Sequence, residues 1–433
     1  MMRNISALLE ELKNGELDER LSRLGCLDTA EALEAARKRV KGAVSGFEKT
    51  FGKDQEAPIA LLSAPGRTEI CGNHTDHQQG RVLAASVTQD FLACAAPNGT
   101  QVIRFLSQGW PMVEVDLGAC GVVEEERETT ASLVRGVAAG IRRLGYEVKG
   151  FDAYATSDVL PGSGLSSSAA CEVLLGVIMN HLFCEDKLDA VQIAQIGQYA
   201  ENVYFGKPSG LMDQMASSVG GAVAIDFKDK EHPVIKPMAV DLAKEGYALC
   251  IVNCGADHAD LTAEYAAIPE EMKAVAACFG KEVLSQVEER EILENMPRIR
   301  KEAGDRAVLR AIHFYADDRR VVQESQALES GDFDRFLELV KESGRSSWMY
   351  LQDINPAGAT KHQEMAVALA AAEIALGGRG AFRVHGGGFA GTIQAFVPFD
   401  LLDSFKSQME AMLGAGCCHV LSIRPEGGAV VWA

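Results

Sequence analysis

The chain is short of several things, and each shortage excludes a class of function. No apolar run approaches the roughly 18–20 residues that cross a bilayer, so no membrane span is expected. Positive charge is in deficit: 42 Lys and Arg against 61 Asp and Glu leave a formal net charge of −19. Such a surface argues against nucleic acid or an anionic membrane as partner. A polyphosphate is still admissible, because helix N-termini, a few local cations and a metal ion hold phosphates in acidic proteins. Met1 to Asn14 is charged and amphipathic and lacks the apolar segment of a secretory signal. The cysteines number eleven, an odd count, and are scattered, with Cys94, Cys171 and Cys250 inside apolar stretches. That pattern fits reduced thiols and a cytoplasmic protein. Cys417 and Cys418 have no second pair at metal-site spacing, which argues against zinc. There is no internal repeat and no low-complexity segment.

What is present is globular: 47% hydrophobic and 24% charged residues. A length of 433 residues exceeds one ordinary core and predicts two domains. Residues 1 to about 52 read as helices. Short strands are predicted at Ile59–Leu62, Arg81–Val87, Asp90–Ala96, Gln101–Leu106 and Val113–Leu117, separated by Gly, Asn or Pro. Ala131–Arg143 reads as a helix, Phe151–Val159 as a strand, and Gly220–Phe227 as another. Ile193, Ile196, Ala200 and Val203 follow 3-4-3 spacing, one apolar stripe of a helix. A second block follows: a strand at Tyr247–Cys254, long helices from Glu264 to about Leu376, and strands at Ala381–Val384, Thr392–Val397 and Ala429–Trp432. This order predicts α+β halves, divided near residues 226–245, rather than a regular parallel sheet.

Chemistry concentrates in four places. The first is Pro161-Gly162-Ser163-Gly164-Leu165-Ser166-Ser167-Ser168-Ala169-Ala170, which opens into the apolar run Val173–Met179. A glycine-rich turn at the start of a buried helix leaves N–H groups unpaired, with the positive end of the helix dipole behind them. The glycines allow close approach of a phosphate, and the hydroxyls can donate to it or ligate a cation. The plainer alternative is a small-residue helix start that packs tightly. The second is Ala64–Gly80, with Arg67, Asn73, His74, Asp76 and His77 between apolar strands. These side chains suit a polyol and an anion. The third is Glu201–Gln214, with Glu201 at the end of the amphipathic helix and Asp213 at the predicted start of another. The fourth is His385-Gly386-Gly387-Gly388-Phe389-Ala390-Gly391, whose glycines permit close approach by a ligand or serve a tight hairpin.

In this order, Ala64–Gly80, Ser157–Glu172, Glu201–Gln214 and Gly380–Pro398 resemble the motifs of the GHMP kinases, which transfer the γ-phosphate of ATP to small metabolites, and within them the galactokinases. The resemblance runs from about Phe47 to the C-terminus, more weakly over Arg310–Gly344. It implies the two-domain GHMP kinase fold, α+β overall. Residues 47–235 would form an N-terminal mixed-sheet domain with a left-handed βαβ-type nucleotide site. Residues 236–433 would form a ferredoxin-like C-terminal domain, with the active site in the cleft between them. Residues 1–46 would be a helical extension outside the resemblance.

The resemblance also implies roles. Pro161 to Ala169 would cradle the triphosphate, and Ser168 (or Ser167) with Glu201 would hold Mg²⁺. Asp213 would sit beside the sugar C1 hydroxyl as general base or orienting carboxylate, with Arg67 beside it. Asn73, His74, Asp76, His77 and Tyr265 would contact sugar, and Gly386, Gly387 and Gly388 would close over the site. The expected partners are a small sugar and ATP, with the protein a monomer or weak dimer. Four positions depart from the galactokinase pattern. Glu69 stands where the family has Asn, Asn73 where it has Glu, and His77 where it has Tyr, while His385 replaces the Thr before the triple glycine. Asn73 could accept a bond from a sugar 6-hydroxyl or donate to a C6 carboxylate, which keeps a galacturonate 1-kinase open beside a galactose 1-kinase. A non-catalytic sugar and ATP sensor is the reading from another class. Thr130–Val137 lacks the family's Trp near adenine, so the base contacts differ.

Overall fold

The computed structural model describes residues 3–159, 164–255 and 261–433. Three helices come first: α1 (Ile5–Asn14), α2 (Asp18–Gly25) and α3 (Ala30–Phe51). Thr29 caps α3 through its side chain, and Gly52 ends it at φ 63°. Then come β1 (Ala60–Cys71), β2 (Arg81–Pro97), β3 (Val102–Ser107), β4 (Val113–Asp116), α4 (Thr130–Arg143), β5 (Phe151–Ser157) and α5 (Ser167–Phe183). Next are α6 (Ala190–Tyr199), a π-helical turn at Ala200–Phe205, α7 (Met212–Val219), β6 (Ala222–Asp226) and β7 (Val234–Met238).

These strands form one sheet in the order β12-β1-β2-β5-β3-β4, with β6 on β2 and β7 on β6, where β12 is Ala429–Trp432. Pairing is antiparallel except β3 with β5. Strand alternation sends successive side chains to opposite faces. Ala60, Leu62, Ala93 and Ala95 pack with Val134, Val137, Leu174 and Ile178 of α4 and α5. Leu61, Leu92 and Cys94 pack with Leu21, Leu24, Val40, Val44 and Phe47 of the N-terminal helices. The N-terminal helices therefore cover one face of the sheet at β12, β1, β2 and β5.

The second sheet contains β8 (Tyr247–Asn253), β9 (Ala381–His385), β10 (Thr392–Pro398) and β11 (Cys418–Leu421), antiparallel in the order β11-β8-β10-β9. Between β8 and β9 lie α8 (Thr262–Ala277), α9 (Glu289–Glu294), α10 (Met296–Glu302), α11 (Asp305–Ser330), α12 (Phe333–Ser346) and α13 (Glu364–Leu376). One helix, α14 (Leu402–Leu413), separates β10 from β11. That topology is the expected ferredoxin-like one. The chain leaves the first sheet after β7, but β12 returns to it, with Leu61 opposite Trp432, so the last strand sits with the first sheet rather than with residues 236–428.

Several strands differ from their predicted bounds, for physical reasons. β1 continues through Arg67, Thr68 and Glu69 to Cys71, every residue buried. Its polar text reads as a loop because the partners of those side chains lie far along the chain. β2 is one strand of 17 residues, not two. At the predicted break, Thr88 N–H donates to Ser422 O at 3.1 Å, so the ladder is continued by a distant segment. The short strands β7 and β11 carry too little periodicity to be seen in advance.

Glu69 and Arg383 join the two halves. Arg383 Nη2 lies 2.9 Å from Glu69 Oε1, both side chains at most 2% exposed, and Arg383 Nη1 donates to Ile70 O at 2.5 Å. Breaking a buried pair by removing one partner strands the other charge. Arg383→Met is expected to lower unfolding free energy by about 3–5 kcal/mol in urea denaturation.

Candidate active site

The centre is assembled from β1, α5 and α7. Arg67 Nε donates to Asp213 Oδ1 at 2.6 Å and Nη2 to Oδ2 at 2.9 Å, a bidentate pair. Arg67 Nη1 donates to Gly164 O, and Arg67 N–H donates to Leu165 O at 3.0 Å. Gly66 permits this closeness, since a Cβ there would lie 2.9 Å from Leu165 O. Asp213 occupies the first turn of α7, where the dipole favours a carboxylate. Ser166 Oγ donates to Asp213 Oδ2 at 2.5 Å. Burial pushes the Asp213 carboxyl up, but the Arg67 charge, its hydrogen bonds and the Ser166 hydroxyl outweigh it and hold the carboxyl below its usual range. Asp213 is therefore ionised at neutral pH.

The residues expected to hold phosphate lie next to it. Pro161, Gly162 and Ser163 are outside the described residues. Ser166 precedes α5 in the left-handed region at φ 56°, and Ser167, Ser168 and Ala169 form its first turn. Ser168 Oγ donates to Glu201 Oε1 at 3.3 Å, and Lys207 Nζ is 3.4 Å from the same oxygen. Glu201 sits in the π-helical turn, which turns the carboxylate inward at 3% exposure. Its other oxygen accepts from Gln214 Nε2 at 2.9 Å, and the same nitrogen donates to Glu172 Oε2 at 2.9 Å. Burial and then the charge of Glu201 push Glu172 well above the usual carboxylate range. Glu172 and Gln214 were not singled out from the sequence. The available signal was spacing: Glu172 lies one helical turn beyond Ser168, and Gln214 follows Asp213. A hydroxyl and a carboxylate are hard oxygen donors that fit Mg²⁺, which takes one or two carboxylates and completes its shell with phosphate and water.

The opposite wall carries the other motif residues. Asp76 accepts from His77 N–H at 3.0 Å and from Met212 N–H at 3.4 Å, so it faces the start of α7 beside Asp213. A Cβ at Gly210 would collide with the Asp76 carboxylate, which is why that turn needs glycine. His74 adopts φ 61° and its Nε2 lies 3.1 Å from Gly387 O. Its ring stacks on His77 at 5.6 Å. Burial, then His77, pull the His74 pKa down to about 3, so the ring is neutral. Tyr265 donates from its hydroxyl to Gly388 O at 2.8 Å and meets Phe389 edge-on. Burial raises its pKa to about 12. His74 and Tyr265 thus both grip the glycine loop, and Gly386 O accepts from Asn73 Nδ2 at 2.7 Å.

Asn73 corrects an expectation. It is 1% exposed, and its second amide bond runs to Glu69 Oε1 at 3.0 Å. Its Oδ1 accepts from Ser347 Oγ at 3.3 Å. Both amide hydrogens are spent inside the protein, so none is left for a C6 carboxylate. The two departures at 69 and 73 form one exchange: the family's Asn and Glu have swapped places, and Glu69 and Asn73 bond each other. Glu69 in turn needs Arg383, which the local sequence does not reveal.

His385 also gains a physical account. Its Nε2 accepts from Glu69 N–H at 3.3 Å and lies 3.0 Å from Thr68 Oγ1, while Nδ1 lies 2.9 Å from Thr392 Oγ1. The imidazole ties β9 to β1 directly beneath Arg67, and a Cβ at Gly164 would lie 2.8 Å from its Nδ1. Burial, then Arg67 and Arg383, push its pKa well below the usual histidine range. A histidine kept neutral by the fold contributes stability above its unfolded pKa near 6.5, and that contribution falls as the unfolded chain takes up a proton below it. The stability advantage of the native protein over His385→Asn should shrink by about 1 kcal/mol from pH 6.5 to pH 5.5, read by urea denaturation at each pH.

Comparison with known proteins gives the family and the fold. The GHMP kinases N terminal domain family matches residues 132–221, and the galactokinase galactose-binding signature matches residues 45–97. A galactokinase of Streptomyces coelicolor is 30% identical over 389 residues, covering 88% of this chain and 96% of its own. The crystal structure of Lactococcus lactis galactokinase complexed with galactose superposes with a TM-score of 0.77 at 25% identity, covering 90% of this chain and 99% of that one. L. major mevalonate kinase, solved with R-mevalonate, shares the fold at a TM-score of 0.57 and 14% identity, over 86% of this chain and 97% of that one.

Proposed function

This chain belongs to the galactokinase family of GHMP kinases, and from that premise we propose that it transfers the γ-phosphoryl group of ATP to the anomeric C1 hydroxyl of galactose, giving the 1-phosphate and ADP. One observation carries the reading at residue level: Asp213, ionised, is gripped at both oxygens by Arg67 within reach of the phosphate-loop residues Gly164 to Ser168.

Asp213 accepts the C1 hydroxyl hydrogen bond and aims that oxygen at the γ-phosphorus. Its low proton affinity suits an orienting carboxylate that takes the proton late, as bond formation advances in a loose transition state. Arg67 keeps Asp213 ionised and balances charge on the phosphoryl oxygens. Ser168 and Glu201 would hold Mg²⁺, which when bound supplies charge neutralisation for the phosphates. Asp76 and His77 face the sugar from the other wall, while His74 and Tyr265 hold the glycine loop through Gly387 O and Gly388 O. The neutral imidazole of His74 adds no charge beside the anion. Gly386 to Gly388 close the site over the substrates. The uronate reading rests in part on a free donor at Asn73 and loses that part of its support, while His77 in place of Tyr still bears on it. The sensor reading is disfavoured because Arg67, Asp213, Ser168 and Glu201 converge.

Every named group lies on one chain, so we take a single copy as sufficient. No helix among the described residues is long and apolar enough to cross a membrane. We divide the chain into the helices of 1–46, a catalytic half at 47–235 and a second half at 236–433, with β12 returning to the first sheet.

ADP release measured with galactose, galacturonate, N-acetylgalactosamine and arabinose tests the substrate. Turnover on galactose is expected, and turnover on galacturonate without galactose would overturn it. Asp213→Ala should reduce kcat about 10³-fold or more with little change in sugar KM. Near-native kcat in that variant would move the reacting centre elsewhere.

A further inference from the structure

We propose that Arg39, on the N-terminal helix α3, is a positioning residue for the nucleotide half of the reaction, bracing the strand end that feeds the phosphate loop. The proposal rests on the kinase reading above, and it assigns a role to residues that lie before the matched galactose-binding signature, which starts at residue 45.

The geometry is specific. Arg39 Nη1 lies 2.5 Å from Asp90 Oδ1 and 2.9 Å from Asp158 Oδ2. Nη2 donates to Asp90 O at 2.8 Å and to Thr156 O at 3.3 Å, and Nε donates to Thr156 Oγ1 at 3.3 Å. One guanidinium thus gathers β2, the last turn of β5 and the residue just past it. Asp158 is tied a second time, its N–H donating to Asp90 O at 3.0 Å. Asp90 is itself fixed from the other side by Arg424 Nη1 at 2.8 Å and by Ser63. Arg39 therefore pulls on a rigid post.

Asp158 is close in sequence to Gly164 and Leu165, whose carbonyls are held by Arg67. Gly164 and Leu165 are held by an arginine of β1. Asp158 is held by an arginine of α3, which packs on the opposite face of the sheet. A planar guanidinium with five donors serves here and an ammonium does not, because five acceptors on Asp90, Thr156 and Asp158 must be met at once. The neighbouring Val40, Ala43 and Val44 are buried, so α3 cannot slide to relax the brace.

Arg39→Met retains the apolar stem while removing charge and donors. The expected result is a rise in KM for ATP of about five- to tenfold, with sugar KM within about twofold of native. Amide hydrogen exchange in peptides spanning residues 151–159 should quicken, and Arg39→Lys should recover only part of either effect. Asp158→Asn, which leaves the core untouched, should shift both readouts the same way by less, and stands in if Arg39→Met does not fold. Equal changes in both KM values, or a lowered Tm with unchanged exchange over 151–159, would reduce Arg39 to a structural residue and overturn the proposal. If native protein turned over no sugar, the kinase reading would fail. The exchange data, with equilibrium binding of ATP to native and variant protein, would still decide the brace.

Discussion

Everything at the site depends on one charge pair held in a crowded place, Arg67 with Asp213. The guanidinium spends two donors on the carboxylate and one on the carbonyl of Gly164, so a strand, a helix start and the phosphate loop share one group. A bidentate pair of this kind fixes direction as well as distance. Its burial would be unfavourable with either partner missing, which is why Asp213 also takes the Ser166 hydroxyl and the dipole of α7. The result is an ionised, immobile acceptor with little appetite for a proton, suited to aiming a hydroxyl.

A second layer keeps that pair in register with the other half of the molecule. Glu69, Asn73, Arg383 and His385 form a buried polar seam between β1 and β9. Low local polarity makes each of these bonds strong and makes any unpaired member costly. The seam ends at the glycine loop, which His74, Asn73 and Tyr265 grip through carbonyl oxygens. Asn73, His74, Tyr265 and the glycine loop are therefore parts of one bonded network.

Much of this was legible in the chain itself. Asp213 at a helix start, Glu201 on the preceding helical segment and the hydroxyls of Ser166 to Ser168 are local features, set by capping chemistry and periodicity. Their order along the chain was enough to suggest the kinase fold. Asn73 shows where such reading stops. Taken alone it offers a free amide to a sugar, but its two hydrogens are taken by Glu69 and by Gly386 O, the latter more than three hundred residues away. His385 has one partner nearby in sequence, Thr392, but its partners Thr68 and Glu69 are as distant as Gly386 is from Asn73. The strand through Arg67 was missed for the same cause: buried charges look like a loop until their counter-charges are placed.

The amino-acid sequence by itself determined the two-block α+β organisation, which follows from turns and apolar spacing that act over a few residues. The class of chemistry came from the resemblance of its ordered motifs to those of the GHMP kinases. Tertiary structure alone decided which polar groups remain available to a ligand. It also decided that β12 returns to the first sheet and that the N-terminal helices reach the stem of the phosphate loop through Arg39. Availability is what remains after every long-range hydrogen bond and ion pair has been made, and those bonds exist only once distant segments are brought within about 3 Å of each other.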